Sequence, residues 1–218
     1  MSQVSDQTAP AQMADQDFFQ SAPATDQPVS DADNICFQYQ NKYIFTTLKS
    51  GLAVIDQHRA HVRILYEQYL QQMQNRQGVS QQLLFPDVIE LTPEEQVCMG
   101  QLLANLQFVG FDLMDLGGSS YAVNGIPSGI ETSDPVGLLH DLLGRVMEKG
   151  SRPEDEIGET IALALAKSAA IPSGKVLPAE EMDHLLASLF SCAESNITPD
   201  GRTIISMLTN EELDRRFK

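Results

Sequence analysis

Apolar and polar positions change period several times along this chain, and each change marks an element. "YIFTTL" (43–48) and "GLAVID" (51–56) are β-branched and aromatic runs joined by the turn "KSG", which predicts a hairpin. Both alternating sets are apolar: Tyr43, Phe45 and Leu52 against Ile44, Leu48 and Ala53. A sheet covered on one side alternates apolar with polar, so each face here calls for a cover, and one helix layer supplies only one. From Gln57 to about Gln74 the period is helical, with Val62, Leu65, Tyr69 and Met73 on one stripe. "QNRQGVSQQLLFPDVIEL" breaks that pattern and leads into a short strand. Thr92, Pro93 and Glu95 form a capping-box start for a helix to about Gln107, presenting Met99, Leu102, Leu103 and Leu106.

"FDLMDLGGSSYAVNGIP" predicts a second hairpin turning at "GGSS". Ser133 starts a helix through "DPVGLLHDLLGRVMEK", and "RPEDE" places Pro and acids where the dipole of the next helix favours them. That helix, "IGETIALALAKSAAI", is apolar nearly all round, which predicts burial. "LPAEEMDHLLASLFSC" is another helix, "TPDGR" turns into the strand "TIISML", and Thr209 to Glu212 forms a second capping box. The expected fold is mixed α/β (α+β) in two lobes. The middle segment, 81–156, is expected to be a regulatory lobe inserted into the one formed by 34–80 and 157–218. Residues 1–33, rich in Gln, Ala, Asp, Ser and Pro, are expected to be a disordered linker of a longer protein.

The net charge of −16 changes this picture in one respect. Six Asp and no Lys or Arg lie in the first 33 residues, which leaves −10 on the rest. Such a surface repels phosphate backbones, so DNA is expected to be met only indirectly or through another part of the protein. The N-terminus lacks the regions of a signal peptide, and no apolar run is long enough to span a membrane. Cys36, Cys98 and Cys192 form no CxxC pair and read as reduced thiols in a cytoplasmic protein.

Candidate chemistry gathers where "GLAVID" meets the helix. Asp56, Gln57, His58 and His61 stand at that joint, and the two histidines three apart could share a helix face as metal ligands do. A tight site needs about four ligands, and no Cys-His cluster supplies the others. The simpler reading has Asp56 capping the helix and the histidines making ordinary hydrogen bonds. GxSxG and phosphate-loop motifs are absent. "QQLLFP" (81–86) reads either as an edge strand closed by Pro86 or as an extended peptide that lays Leu83, Leu84 and Phe85 into a partner's groove while Gln81 hydrogen-bonds at its lip.

"GLAVIDQHRAHVRILYE" resembles the DQHA(x)2E(x)4E segment of the C-terminal domain of the MutL DNA mismatch-repair family. The resemblance extends over 34–218, through "LALAKSAA" where the family has an ACxG-type motif, "NITPDGRTIIS" where many members read CPHGRP, and the closing "RRF". It implies a homodimerisation module, joined by a flexible linker to an N-terminal ATPase domain that would bind ATP, in a bacterial cytoplasmic, nucleoid-associated protein. The implied partners are the mismatch-recognition protein MutS and the replication sliding clamp, with no membrane. In nuclease-bearing members the motifs supply a metal site for nicking DNA. Here Asp56, Gln57 and His58 stand, but Arg59 replaces the Ala and Val62 the first Glu, while Glu67 remains. The Cys of the ACxG block falls on Ala166, and in CPHGRP the Cys falls on Thr198 and the His on Asp200.

Losing thiolates and a carboxylate removes most of such a site's charge and soft-ligand character. The joint therefore reads as the relic of a metal site at His58, with neither catalysis nor a cofactor expected in this chain. The rival readings are a metal-dependent nuclease using Asp200, Glu67 and the other His, and a small-molecule-binding regulatory domain. The resemblance also raises "QQLLFP", since relatives carry a Gln-x-hydrophobic-hydrophobic-x-Pro clamp-contacting peptide there; Gln81, Leu83, Leu84 and Pro86 match it, with Phe85 between. A dimer interface is expected on the sheet formed by 43–48, 52–55 and 203–208, through Ile44, Leu48, Val54, Ile204 and Met207.

Overall fold

A left-handed turn at Gln40 and Asn41, φ 53° and 49°, folds strand β1 (Cys36–Tyr39) back onto β2 (Tyr43–Leu48). The computed structural model describes residues 35–132, 134–149 and 154–218, so the expected linker at 1–33, the helix start at Ser133 and the first residues of "RPEDE" lie outside them. After β2 come β3 (Gly51–Asp56), α1 (Gln57–Asn75), β4 (Ser80–Glu90), α2 (Pro93–Val109), β5 (Asp112–Gly117) and β6 (Ser120–Pro127). The chain continues through α3 (Pro135–Lys149), α4 (Glu154–Ala169), α5 (Ala179–Ser191), β7 (Ile205–Thr209) and α6 (Asn210–Arg216).

The strands form two antiparallel sheets, ordered β1-β2-β3-β7 and β4-β6-β5, so the fold is the mixed α/β one that the pattern predicts. The capping boxes at Thr92 and Thr209 both form. Two elements differ from the sequence reading. β1 is a strand of its own, because the Tyr39–Lys42 turn makes "CFQY" pair with β2. β4 is a long strand, broken by a register shift between Gln82 and Asp87.

Each sheet has its own core, and α1 serves both. On the four-stranded sheet, Ile44, Ala53 and Ile55 pack with Ala60 and Ile64 of α1 and with Met182, Leu185, Leu186 and Leu189 of α5. Val62 and Tyr69 of α1 instead join Ile89, Val123 and Ile126 of the three-stranded sheet, with apolar residues of α2 and α3. Ile161, Leu165 and Ala166 bury α4 in this second core. Gly51, at φ 145°, lets β7 approach: a Cβ there would run into the Leu208 carbonyl.

The other face of the four-stranded sheet carries Phe37, Tyr39, Phe45, Val54 and Leu208, which the register places together. None of them joins either core. The Phe37 and Phe45 rings stack at 5.1 Å, and Tyr39 meets Phe45 edge-on at 6.0 Å. Phe37 and Tyr39 stay 48% and 52% exposed. The second cover that two apolar faces call for is therefore not supplied among the described residues.

Candidate functional site

The joint between β3 and α1 is held together by side chains satisfying backbone groups. Asp56, in extended conformation, caps α1 by accepting the Arg59 N–H at 3.0 Å. Gln57 is fully buried, and its amide is fully used. Its Nε2 donates to the carbonyls of Asn41 (2.9 Å) and Lys175 (3.1 Å), and its Oε1 accepts from Gln38 Nε2 at 2.6 Å. One side chain thus ties the first hairpin to the loop between α4 and α5.

The two histidines bracket a single residue of the same loop. His58 Nδ1 lies 2.8 Å from the Ile171 carbonyl, an acceptor, so this nitrogen carries the proton. His61 Nδ1 accepts the Ile171 N–H at 2.9 Å, so its proton sits on Nε2. Burial, with the charges of His58 and Lys175 adding to it, lowers the His61 pKa from 6.5 to about 4. Both rings are therefore engaged at Nδ1 by the backbone of Ile171.

The remaining motif positions lie elsewhere and are similarly occupied. Val62, one turn after His58, is 3% exposed, and Ala166 is fully buried; both belong to the second core. Glu67 receives Arg63 Nη2 at 2.7 Å and the Ala193 N–H at 2.9 Å. Burial would raise its pKa, but the hydrogen bonds from Ala193 and Arg63 outweigh it and hold the carboxyl below its usual range. The Thr198 hydroxyl donates to Asp200 Oδ1 at 2.6 Å and accepts the Arg202 N–H at 2.9 Å. Asp200 pairs with Lys167 Nζ at 2.8 Å. Burial again opposes, but Lys167 and Thr198 take the Asp200 carboxyl down to about 2.

These groups do not converge. Glu67 and Thr198 line an open cleft of about 700 Å³ with Arg63, Tyr66 and Glu194. His61 lines a different cleft, of about 390 Å³, with His184, Glu180 and Glu181. Among the described residues no three His, Cys, Asp or Glu side chains group as a metal site would need. Burial, first among the causes, pushes all three thiols up, Cys192 to about 11, which makes them poor nucleophiles.

The "QQLLFP" stretch is presented quite differently. β4 is an edge strand, and residues 83–86 fall in its register break, unpaired with β6. Leu84 is 93% and Phe85 85% exposed, while Leu83 packs partly against the second core. Gln81 pairs with Ile126 just before the break, and Pro86 sits just before pairing resumes at Asp87.

The family model described as "MutL C terminal dimerisation domain" matches residues 36–177. The chain belongs to this family. A DNA mismatch repair protein MutL of Parabacteroides distasonis is 56% identical over 209 residues, covering 92% of this chain and 34% of that relative. The MutL proteins of Phocaeicola vulgatus and Bacteroides fragilis are 45% and 46% identical, over 88% and 83% of this chain and 31% and 29% of theirs. The chain therefore spans about a third of the length of these curated relatives.

The burial on the four-stranded sheet bears on the residues expected at a dimer interface. Ile44 and Ile204 are 0% and 2% exposed inside the chain's own core, so they cannot be offered to a second copy. Leu48 and Met207 alternate with that inward set, yet each is 37% exposed. Val54 alone is on the open face, paired with Phe45. Phe37 and Tyr39 share the open face with Val54, a placement that the alternation in "CFQY" signals. No helix among the described residues is long and apolar enough to cross a membrane.

His61 makes a pH prediction. The Ile171 N–H needs the neutral ring, whose folded pKa of about 4 lies below the ordinary 6.5. Stability from this group is complete above pH 6.5 and is lost as pH falls towards 4, because the unfolded chain takes up the proton first. Discounted for the ring's partial exposure, the loss amounts to about 2 kcal/mol. Urea unfolding of the chain and of His61→Gln at pH 7.5 and 5.5 checks this. The parent should lose more stability than the variant between the two pH values.

Proposed function

We propose that this chain is the homodimerising C-terminal module of a mismatch-repair protein, coupling an N-terminal ATPase to partner proteins and not itself nicking DNA. The observation that carries this reading is the uncovered aromatic face of the four-stranded sheet, Phe37, Tyr39 and Phe45 with Val54 and Leu208. A face of that character needs a partner, and an obligate interface typically buries over about 2,000 Å² and resembles a core. Light scattering of the 24.0 kDa chain should return twice that mass at micromolar concentration. A monodisperse monomer would overturn the reading. In this proposal 34–80 and 157–218 make the dimerising lobe and 81–156 the regulatory one, with α1 contributing to both cores and α4 to the second.

The nuclease reading has less support. Each group it would use already has partners: Asp200 with Lys167, Glu67 with Arg63, and His61 with Ile171. Supercoiled plasmid incubated with the chain and manganese or zinc should stay supercoiled.

Clamp docking by Gln81, Leu83, Leu84, Phe85 and Pro86 is supported by the exposure of Leu84 and Phe85 in the β4 break. Each large apolar anchor contributes roughly 1.5–3 kcal/mol when buried, and ordering and lost translational freedom offset part of it. Leu84 and Phe85 are the free anchors, whereas Leu83 is already half committed to its own core. Leu84→Ala with Phe85→Ala should weaken binding to the clamp at least tenfold, by calorimetry, with dimer mass unchanged. Equal binding by the double variant would reduce the segment to an edge strand. Mismatch-recognition proteins and the ATPase domain complete the proposed set of partners.

A further inference from the structure

A second exposed apolar surface lies on the three-stranded sheet, away from its core. The register places Val88 of β4, Ala122 of β6 and Met114 of β5 in one row across the sheet. Val88 and Met114 are 53% and 52% exposed. Ala122 is only 6% exposed, yet it belongs to neither core. Val88 and Met114 are its register partners on either side. A shift between Asp112 and Leu113 carries Gly125, Gln82 and Asp112 onto the same face as that row. Glu90, two residues beyond Val88, lies on the opposite flank, paired with Ser120. The apolar row thus has a carboxylate on each side.

The sequence around this face is of one sign. Between Arg76 and Arg145 there is no Lys or Arg, while nine Asp and Glu occur. Among the described residues, none of Asp87, Glu90, Asp112 and Asp115 makes an ion pair. An unbalanced field of this kind repels nucleic acid and anionic lipid alike and attracts cations.

We propose that the outer face of the β4-β6-β5 sheet, Val88, Ala122 and Met114 between Glu90 and Asp112, docks a cationic apolar segment of a partner protein. The apolar side chain of the segment lies along the row, and its Lys or Arg groups reach the flanking carboxylates. A row one residue wide suits a peptide-like segment rather than a broad interface. The surface is separate from the open face of the four-stranded sheet and does not depend on the proposed clamp contact.

The test titrates the full 218-residue chain with three labelled twelve-residue peptides, in which Leu alternates with Lys, Leu with Glu, or Ser with Lys. Fluorescence anisotropy should show the Lys-Leu peptide binding at least tenfold more tightly than the other two, and weakening as salt is raised. Amide shift mapping should place it on β4, β5 and β6. Val88→Ser with Met114→Ser should reduce that affinity tenfold or more, and Glu90→Gln with Asp112→Asn severalfold. Leu84→Ala with Phe85→Ala should leave it unchanged, which separates this site from the clamp segment. Equal binding of the Ser-Lys peptide, shifts confined to the aromatic face, or indifference to Val88 and Met114 would each overturn the proposal.

Discussion

Replacing Phe45 by Glu is expected to turn the dimer into a folded monomer, whereas replacing its neighbour Ile44 by Asp should unfold the chain. The two residues are adjacent in β2 and point opposite ways. Phe45 stacks with Phe37 on the open face, and Ile44 is fully buried in the core under α5. A charge at position 45 stays in water in the monomer but must be desolvated in the dimer. Losing a Phe side chain from an interface costs roughly 1.5–3 kcal/mol, and symmetry counts it twice. Dimer affinity should therefore fall by roughly two to four orders of magnitude. At position 44 the charge is buried without a partner, a class of change that costs above about 4 kcal/mol. Light scattering and circular dichroism distinguish the outcomes. A folded dimer of Phe45→Glu would mean that the second copy sits elsewhere.

Val62→Glu restores the carboxylate that the nuclease pattern expects, and it should damage the protein rather than revive a site. Val62 is 3% exposed among apolar residues of the second core, with Tyr69 of its own helix and Ala166 of α4 in the same cluster. A carboxylate there would be driven to its neutral form or would break the packing, at a cost of about 3 kcal/mol or more. His58, one turn away, already gives its Nδ1 proton to Ile171. Thermal unfolding should show a large fall in midpoint, unrelieved by manganese or zinc. A variant of parental stability, further stabilised by metal and able to nick plasmid, would show the ligand set to be recoverable.

Most of the elements could be read from the chain because their signals are local. The hairpin of β2 and β3, the α1 stripe, and the capping boxes at Thr92 and Thr209 each depend on residues close in sequence. Which way a strand faces is not a local property. Ile44 and Phe45 are both large and apolar, and only the arrival of α5, from more than a hundred residues away, decides which of them is inside. The same limit applied at the joint. Two histidines three apart suggest ligands, yet their common partner is the backbone of Ile171, which no spacing rule anticipates. Lys167, beside Ala166, showed no sign in the sequence of pairing with Asp200. The long reach of β4 was missed because its Pro86 falls in a register break, where a strand tolerates it.

The antiparallel pairing of β3 with β7 sets a timetable for assembly. Ala53 meets Met207 and Val54 meets Ser206, so β3 is made about 150 residues before its neighbour. At ordinary synthesis speeds of about 5–20 residues per second, that delay is roughly 8–30 s. Strands β4, β5 and β6 all lie between Ser80 and Pro127, so the three-stranded sheet can pair from nearby segments well inside that interval. Throughout it the β1-β2-β3 ribbon has an unpaired edge as well as bare aromatic rings. Two nascent chains on one message could join there before β7 arrives, as a mispaired strand edge. Ribosome-bound chains stalled before residue 205 should accordingly be more prone to aggregate than chains stalled with β7 clear of the exit tunnel.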